Sequence, residues 1–319
     1  MPEPVLYLES LGAAAIVSAL CVLAMTAVPR PVNTARLNSA CVLGMGLGIA
    51  VGNYVLSLRL GWPPANGLDR FVIVVIPAAL GVELIAGFQR VPPSAGWFLR
   101  ISLAAAIPRI LLHASIYMDG SDNGWNAWQA GTALAACGAL LAGVWGLLHW
   151  LAWRSRSGVS ISLALVLATL CAAATVMMAG YIKGGAAALP LAATLAATTV
   201  AARLTAKRLA PAIIGVGIVE LFGVLFIGRF FGRLSTGSAL AMLLAPLLCW
   251  ATEIPLLRLR NPWLVGSLRL VLVAMPLLAV LAAAKRDFDR DMAPLLGNLH
   301  IQVMPAAHSN ATSCERVNE

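Results

Sequence analysis

Four ionisable residues, Glu83, Arg109, His113 and Glu220, fall deep inside long apolar runs. An ionisable side chain at membrane depth is expensive, so each is read first as a candidate functional group. Arg109 lies about twelve residues into the run that begins at Trp97, roughly 18 Å along a helix and close to the bilayer midplane. His113 follows one turn later on the same face. Such a set supports two kinds of chemistry. It can line a polar cavity that binds an anionic solute or relays protons. Alternatively, Arg109 pairs with Glu220 or Glu83 and fixes helix register, and losing one partner would strand a buried charge. Depth favours Glu220, about 14 Å in from the end that Arg109 is measured from, over Glu83 at about 8 Å. An unpaired midplane arginine costs at least about 2.5–3.5 kcal/mol, so a partner or a water-filled cavity is expected. Arg100 and Arg229 lie within about a turn of a span end, where they are expected to snorkel to the interface. Glu253 and Arg269 sit slightly deeper and are expected to do the same with local adjustment.

Other chemical candidates read more simply. The loop from Tyr117 to Trp128 carries Asp119 and Asp122, too few carboxylates for a dedicated divalent cage. Asp287, Asp289 and Asp291 alternate like the start of a calcium loop, but Met292 and Asn298 occupy the positions that need Gly and Glu. Asn310-Ala311-Thr312 matches a glycosylation acceptor, which matters only in a secretory pathway. Five of the cysteines lie inside apolar runs, without C-x-x-C spacing, and read as packing residues. No metalloprotease, serine-hydrolase or Walker signature is present, so no catalytic residue, metal site or cofactor is assigned.

The elements that position these residues follow from composition. Only 11% of the 319 residues are charged and 60% are hydrophobic, whereas an ordinary soluble domain has about 25% charged residues. The chain is therefore an all-α, polytopic membrane protein, because backbone groups in hydrocarbon must be paired within helices or closed barrels. Its continuous apolar runs lack the ten-residue alternation of barrel strands. Ten spans are predicted (range eight to ten): 6–28, 37–58, 71–88, 97–117, 128–153, 160–182, 186–202, 211–232, 238–256 and 263–284. They form one transmembrane domain over residues 1–284, followed by a polar C-terminal tail, 285–319, expected to be flexible. Trp62, Trp97, Trp128, Trp153 and Trp263 fall at or near span ends, as an interfacial belt requires.

Gly44, Gly48 and Gly52 make a small-residue stripe that admits a close neighbouring helix, with Asn53 placed to hydrogen-bond across it. The stripe is also a candidate contact for a membrane-protein partner or a second copy of the chain. A weak five-plus-five inverted repeat is suggested by Val82-Glu83-Leu84 and Val219-Glu220-Leu221. The 22 Lys and Arg outnumber the 13 Asp and Glu, but the bases gather in short loops, so nucleic acid is excluded as a partner. Arg30, Arg36, Arg90, Arg154, Arg156, Arg203, Lys207, Arg208, Arg258 and Arg260 follow odd-numbered spans. That bias predicts both termini on the non-cytoplasmic side of a plasma (cytoplasmic) membrane, with the bilayer as the first partner.

These features fit a secondary transporter or permease for a small, anionic solute best. A non-catalytic structural or assembly subunit of a membrane complex is the alternative. A membrane-embedded enzyme acting on a lipid-linked substrate is the third reading; it needs convergent acids or histidines at one interface, which only the loop after the fourth span offers.

Overall fold

The computed structural model describes residues 4–27, 33–58, 60–118, 125–155, 158–205, 210–253 and 262–302. Among them there is no strand, and nine helices are long and apolar enough to cross a membrane. They are α1 (Pro4–Ala27), α2 (Thr34–Val55), α4 (Pro93–Leu112), α5 (Ala127–Arg154), α6 (Val159–Met178), α7 (Ile182–Thr205), α8 (Pro211–Phe230), α9 (Thr236–Glu253) and α10 (Pro262–Gln302). A further helix, α3, is continuous but irregular: Gly67–Arg70, a π turn at Phe71–Val75, then Ile76–Ala86. Every predicted span therefore has a helix. The chain is an all-α polytopic membrane protein, with exposed Leu8, Ile16, Phe98, Ile101, Val271 and Met275 on its outer, lipid-compatible surface.

Two boundaries differ from the sequence reading, with consequences. The fourth span starts at Pro93, a residue pre-set for a first helical turn, and ends at Leu112, not near residue 117. The last helix runs on to Gln302 through much of the segment read as a tail, with Lys285 and Asp289 paired at 2.7 Å one turn apart. Residues 303–319 and the Asp119–Asp122 loop lie outside the described residues.

The centre of the molecule is α8. Every residue from Ala212 to Gly228 is buried, and α2, α3, α5, α6, α7 and α9 all pack against it. Its glycines receive those neighbours: Gly217 faces Leu195 and Leu165, Gly223 faces the Phe71 ring, and Gly228 faces Val176.

The α2 glycine stripe is internal. Ser10 and Ser18 of α1 donate hydroxyl bonds of 2.8 Å to the carbonyls of Gly52 and Gly44. A Cβ on Gly48 would lie 2.7 Å from the Ala14 carbonyl, and one on Gly52 would lie 2.5 Å from Pro190 of α7. The stripe is thus covered by α1 and α7 of the same chain, which corrects its assignment to a partner or a second copy. Asn53 makes no hydrogen bond across it, and both polar atoms of its buried amide are unpartnered.

Internal correspondence also differs from the inverted pattern. Gly12-Ala13-Ala14-Ala15 of α1 matches Gly185-Ala186-Ala187-Ala188 of α7. Thr26 and Thr199 then back-bond to Val22 and Leu195, one turn earlier in each helix. Gly44, Gly46 and Gly52 of α2 match Gly215, Gly217 and Gly223 of α8. In α3 and α9, Pro77 and Pro246 lie where each helix departs from α geometry, because proline cannot donate the ladder bond. Pro93 and Pro262 open α4 and α10, and Arg100 and Arg269 follow at the same distance. The first four helices correspond to the last four at a nearly constant offset along the chain. The two sets run in the same direction, since the members of each pair are six positions apart in the helix order, with five helices between them.

Candidate functional site

Among the described residues, three glutamates inside the bundle each mark a polar group. The first is organised by Glu83, which is fully buried near the end of α3. Arg100 of α4 grips it with two parallel bonds, Nε to Oε1 and Nη2 to Oε2, each 2.8 Å. Gly215 of α8 leaves the room that the Glu83 carboxylate occupies. Asn38 of α2 completes the knot: its amide donates to the Glu83 carbonyl at 2.9 Å and its oxygen accepts from the Ala212 N–H at 3.1 Å. The second bond satisfies an N–H in the first turn of α8 that has no partner within its own helix. The Arg100 guanidinium lies 5.3 Å from the Trp97 ring centroid, and His149 of α5 meets that ring edge-on at 5.2 Å.

The second group has the same plan. Arg269 of α10 donates to Glu253 at 2.6 Å, to the Thr252 hydroxyl at 2.6 Å and to the Ser160 hydroxyl at 3.0 Å. It ties α10 to α9 and to the start of α6. In both groups a glutamate near the end of one helix takes an arginine two turns into the next.

The third is Glu220, alone. It is fully buried, and neither carboxylate oxygen has a hydrogen-bond partner. It lies about 14 Å from the start of α8, near the middle of a helix about 30 Å long.

Of the four residues singled out in the sequence, the structure brings none together in the expected way. Arg109 is exposed on the side of α4, about 5 Å from its end, and does not meet Glu220 or Glu83. His113 is exposed at the C-terminal boundary of α4, where its backbone carbonyl accepts a bond from Arg70. The expected snorkelling of Arg100, and of Glu253 with Arg269, is likewise replaced by inward pairs. The earlier start of α4 explains the exchange: it carries Arg100 about 10 Å inward and leaves Arg109 near the far end. Sequence reasoning also missed Asn38, Thr252 and Ser160. The signal available was the repeated order of glutamate, helix-opening proline and arginine, in Glu83, Pro93, Arg100 and again in Glu253, Pro262, Arg269.

Comparison with protein-family models, with curated proteins and with solved structures finds no match to this chain.

Proposed function

We propose that the chain is a secondary transporter for a small solute, with Glu220 as its membrane-embedded ionisable group. The observation that carries this reading is the contrast among three glutamates of the bundle, Glu83 and Glu220 buried and Glu253 partly buried. Glu83 and Glu253 are each held by an arginine, while Glu220, the one nearest mid-membrane, has no partner. Intramembrane ionisable residues of that kind mark substrate or ion pathways. Two further features support it. The irregular stretches of α3 and α9 lie on helices that flank α8, and discontinuous helices beside a midplane group are a transporter trait. Parallel repeats related by an axis along the membrane normal are a known transporter plan. The anionic solute expected from the sequence rested on a midplane Arg109, so the proposal carries no charge preference. The loop bases support a plasma-membrane protein with both termini non-cytoplasmic, and impermeant thiol labelling of single cysteines placed at 90 and 181 tests that orientation.

The functional test is uptake of a panel of labelled small solutes into liposomes containing the purified chain. Accumulation by the wild type, lost in correctly folded Glu220→Gln, is the expected result. Equal behaviour of protein-free liposomes and liposomes containing the chain, together with a stoichiometric membrane partner on gentle purification, would favour the assembly-subunit reading.

A further inference from the structure

We infer that Glu220 is a proton-exchange site, so that the ion coupled to transport is H⁺ and not a metal cation; this rests on the transporter reading above. The repeat supplies the first argument. The position of α2 that matches Glu220, aligned by the glycines that both helices share, is Ile49, and it is buried too. Helix packing at that place is therefore served by an apolar side chain. The Glu–Arg clamps, in contrast, occur in both halves and belong to the architecture. A carboxyl group present in one half alone, buried and without a partner, burdens the fold and needs another reason to be there.

A proton and a metal ion make different demands on the groups around them. A bound cation such as calcium needs six or more oxygen ligands, and magnesium a near-octahedral set. Among the described residues no group of three His, Cys, Asp or Glu side chains could hold one. Glu220 stands between Val219 and Leu221 on a helix whose sequence around it is aliphatic and aromatic. A proton needs one carboxylate oxygen only. No side chain hydrogen-bonds the Glu220 carboxylate, and a buried charge without such a partner is costly, which is what a site that takes up and releases a proton requires. In the exchange step a hydronium ion gives H⁺ to one carboxylate oxygen, an O–H bond forms and water is released. The reverse transfer on the other side returns the carboxylate, with no redox change.

The helices around α8 bring no competing partner. From α3 come Asp69 and Arg70, both at its start, the arginine donating to the Ala65 and His113 carbonyls, and Glu83, held by Arg100; from α9 come Cys249 and Glu253, held by Arg269. From α5 come Cys137, His149, packed on Trp97, and Arg154; from α6 comes Cys171. Arg36, Cys41 and Tyr54 lie on α2, and α7 carries Lys183 and Arg203 near its two ends. On α8 itself Arg229 donates to Thr236. None of these hydrogen-bonds the Glu220 carboxyl group. A pH response at that carboxyl therefore belongs to Glu220.

The test uses dicyclohexylcarbodiimide, an apolar reagent that adds to protonated carboxyl groups, on the full chain in lipid nanodiscs, read by peptide mass spectrometry. The expected result is an adduct at Glu220, absent in Glu220→Gln. Its rate should fall about tenfold per pH unit once the proton is lost and should not respond to sodium, calcium or magnesium. Protection by one of those cations at constant pH would overturn the proton assignment while leaving a cation-coupled transporter intact. Absence of an adduct at every pH would overturn the site itself, and the solute panel would still decide the transporter reading. A second variant, Glu220→Ile, should fold as well as the wild type and lose pH-driven uptake. Failure of that variant to fold would make Glu220 structural and overturn the inference.

Discussion

Removing Arg100 should be far more damaging than removing Arg109, although the sequence alone ranks them the other way. Arg100→Met takes away both bonds to Glu83 and leaves a fully buried carboxylate facing Gly215 and the α3–α4 contact. Truncating one partner of a buried, hydrogen-bonded ion pair costs about 3–5 kcal/mol, most of it the penalty of the stranded charge. Glu83→Met strands the arginine and should cost a similar amount, less whatever Arg100 recovers by reaching an interface. In the double variant no buried charge remains, and apolar replacement of such a pair is often neutral or better. The cycle should therefore show a coupling of at least about 3 kcal/mol, approaching the sum of the two single losses. Arg109→Met, at an exposed position, should stay within about 0.5 kcal/mol. Reversible unfolding of the purified chain in mixed micelles, followed by tryptophan fluorescence, gives the four free energies. Additive losses, or an Arg109 variant as unstable as the Arg100 variant, would refute the pairing and the depth assignment behind it.

The second clamp should behave in the same way. Arg269→Gln is expected to destabilise by several kcal/mol, and Ser160→Ala by only about 1 kcal/mol, in the same unfolding assay. Gly48→Ala should cost about 1–3 kcal/mol, because its Cβ would press on the Ala14 backbone, whereas Gly12→Ala has nothing within 4 Å and should be harmless or slightly stabilising; equal folded yields would refute the α1–α2 contact. Asn38→Leu should lose about 1–3 kcal/mol by orphaning the Ala212 N–H, as measured by thermal aggregation in detergent. Tyr181 lies between α6 and α7, where burial first and the nearby Asp69 charge second raise its hydroxyl above the ordinary value of 10.0. The folded state then holds that proton where the unfolded chain releases it, so stability should fall as pH rises through and above 10.0. Tyr181→Phe should remove that part of the pH dependence, and an unchanged alkaline profile would refute the assignment.

Hydropathy determined the class of this protein and the number and order of its helices, because twenty apolar residues in hydrocarbon have no solution but a helix or a barrel. It also identified Glu220 as a deep charge, since the middle of a span tolerates errors of a few residues at its ends. Which charges meet was decided by tertiary structure. A few residues of error at the start of α4 shift every residue by several ångströms in depth, and which face of the helix meets the bundle is set by its neighbours. That error places Arg109 near the midplane and Arg100 at an interface, whereas Arg100 is buried in the bundle and Arg109 is exposed near the helix end. Partner choice added a second unknown: the glycine stripe announces a close helix without saying whose, and α1 and α7 of the same chain supply it. The isolation of Glu220 is a tertiary fact of the same kind. It depends on six helices packing around α8 without any of their side chains hydrogen-bonding the Glu220 carboxylate, which no reading of α8 alone could show.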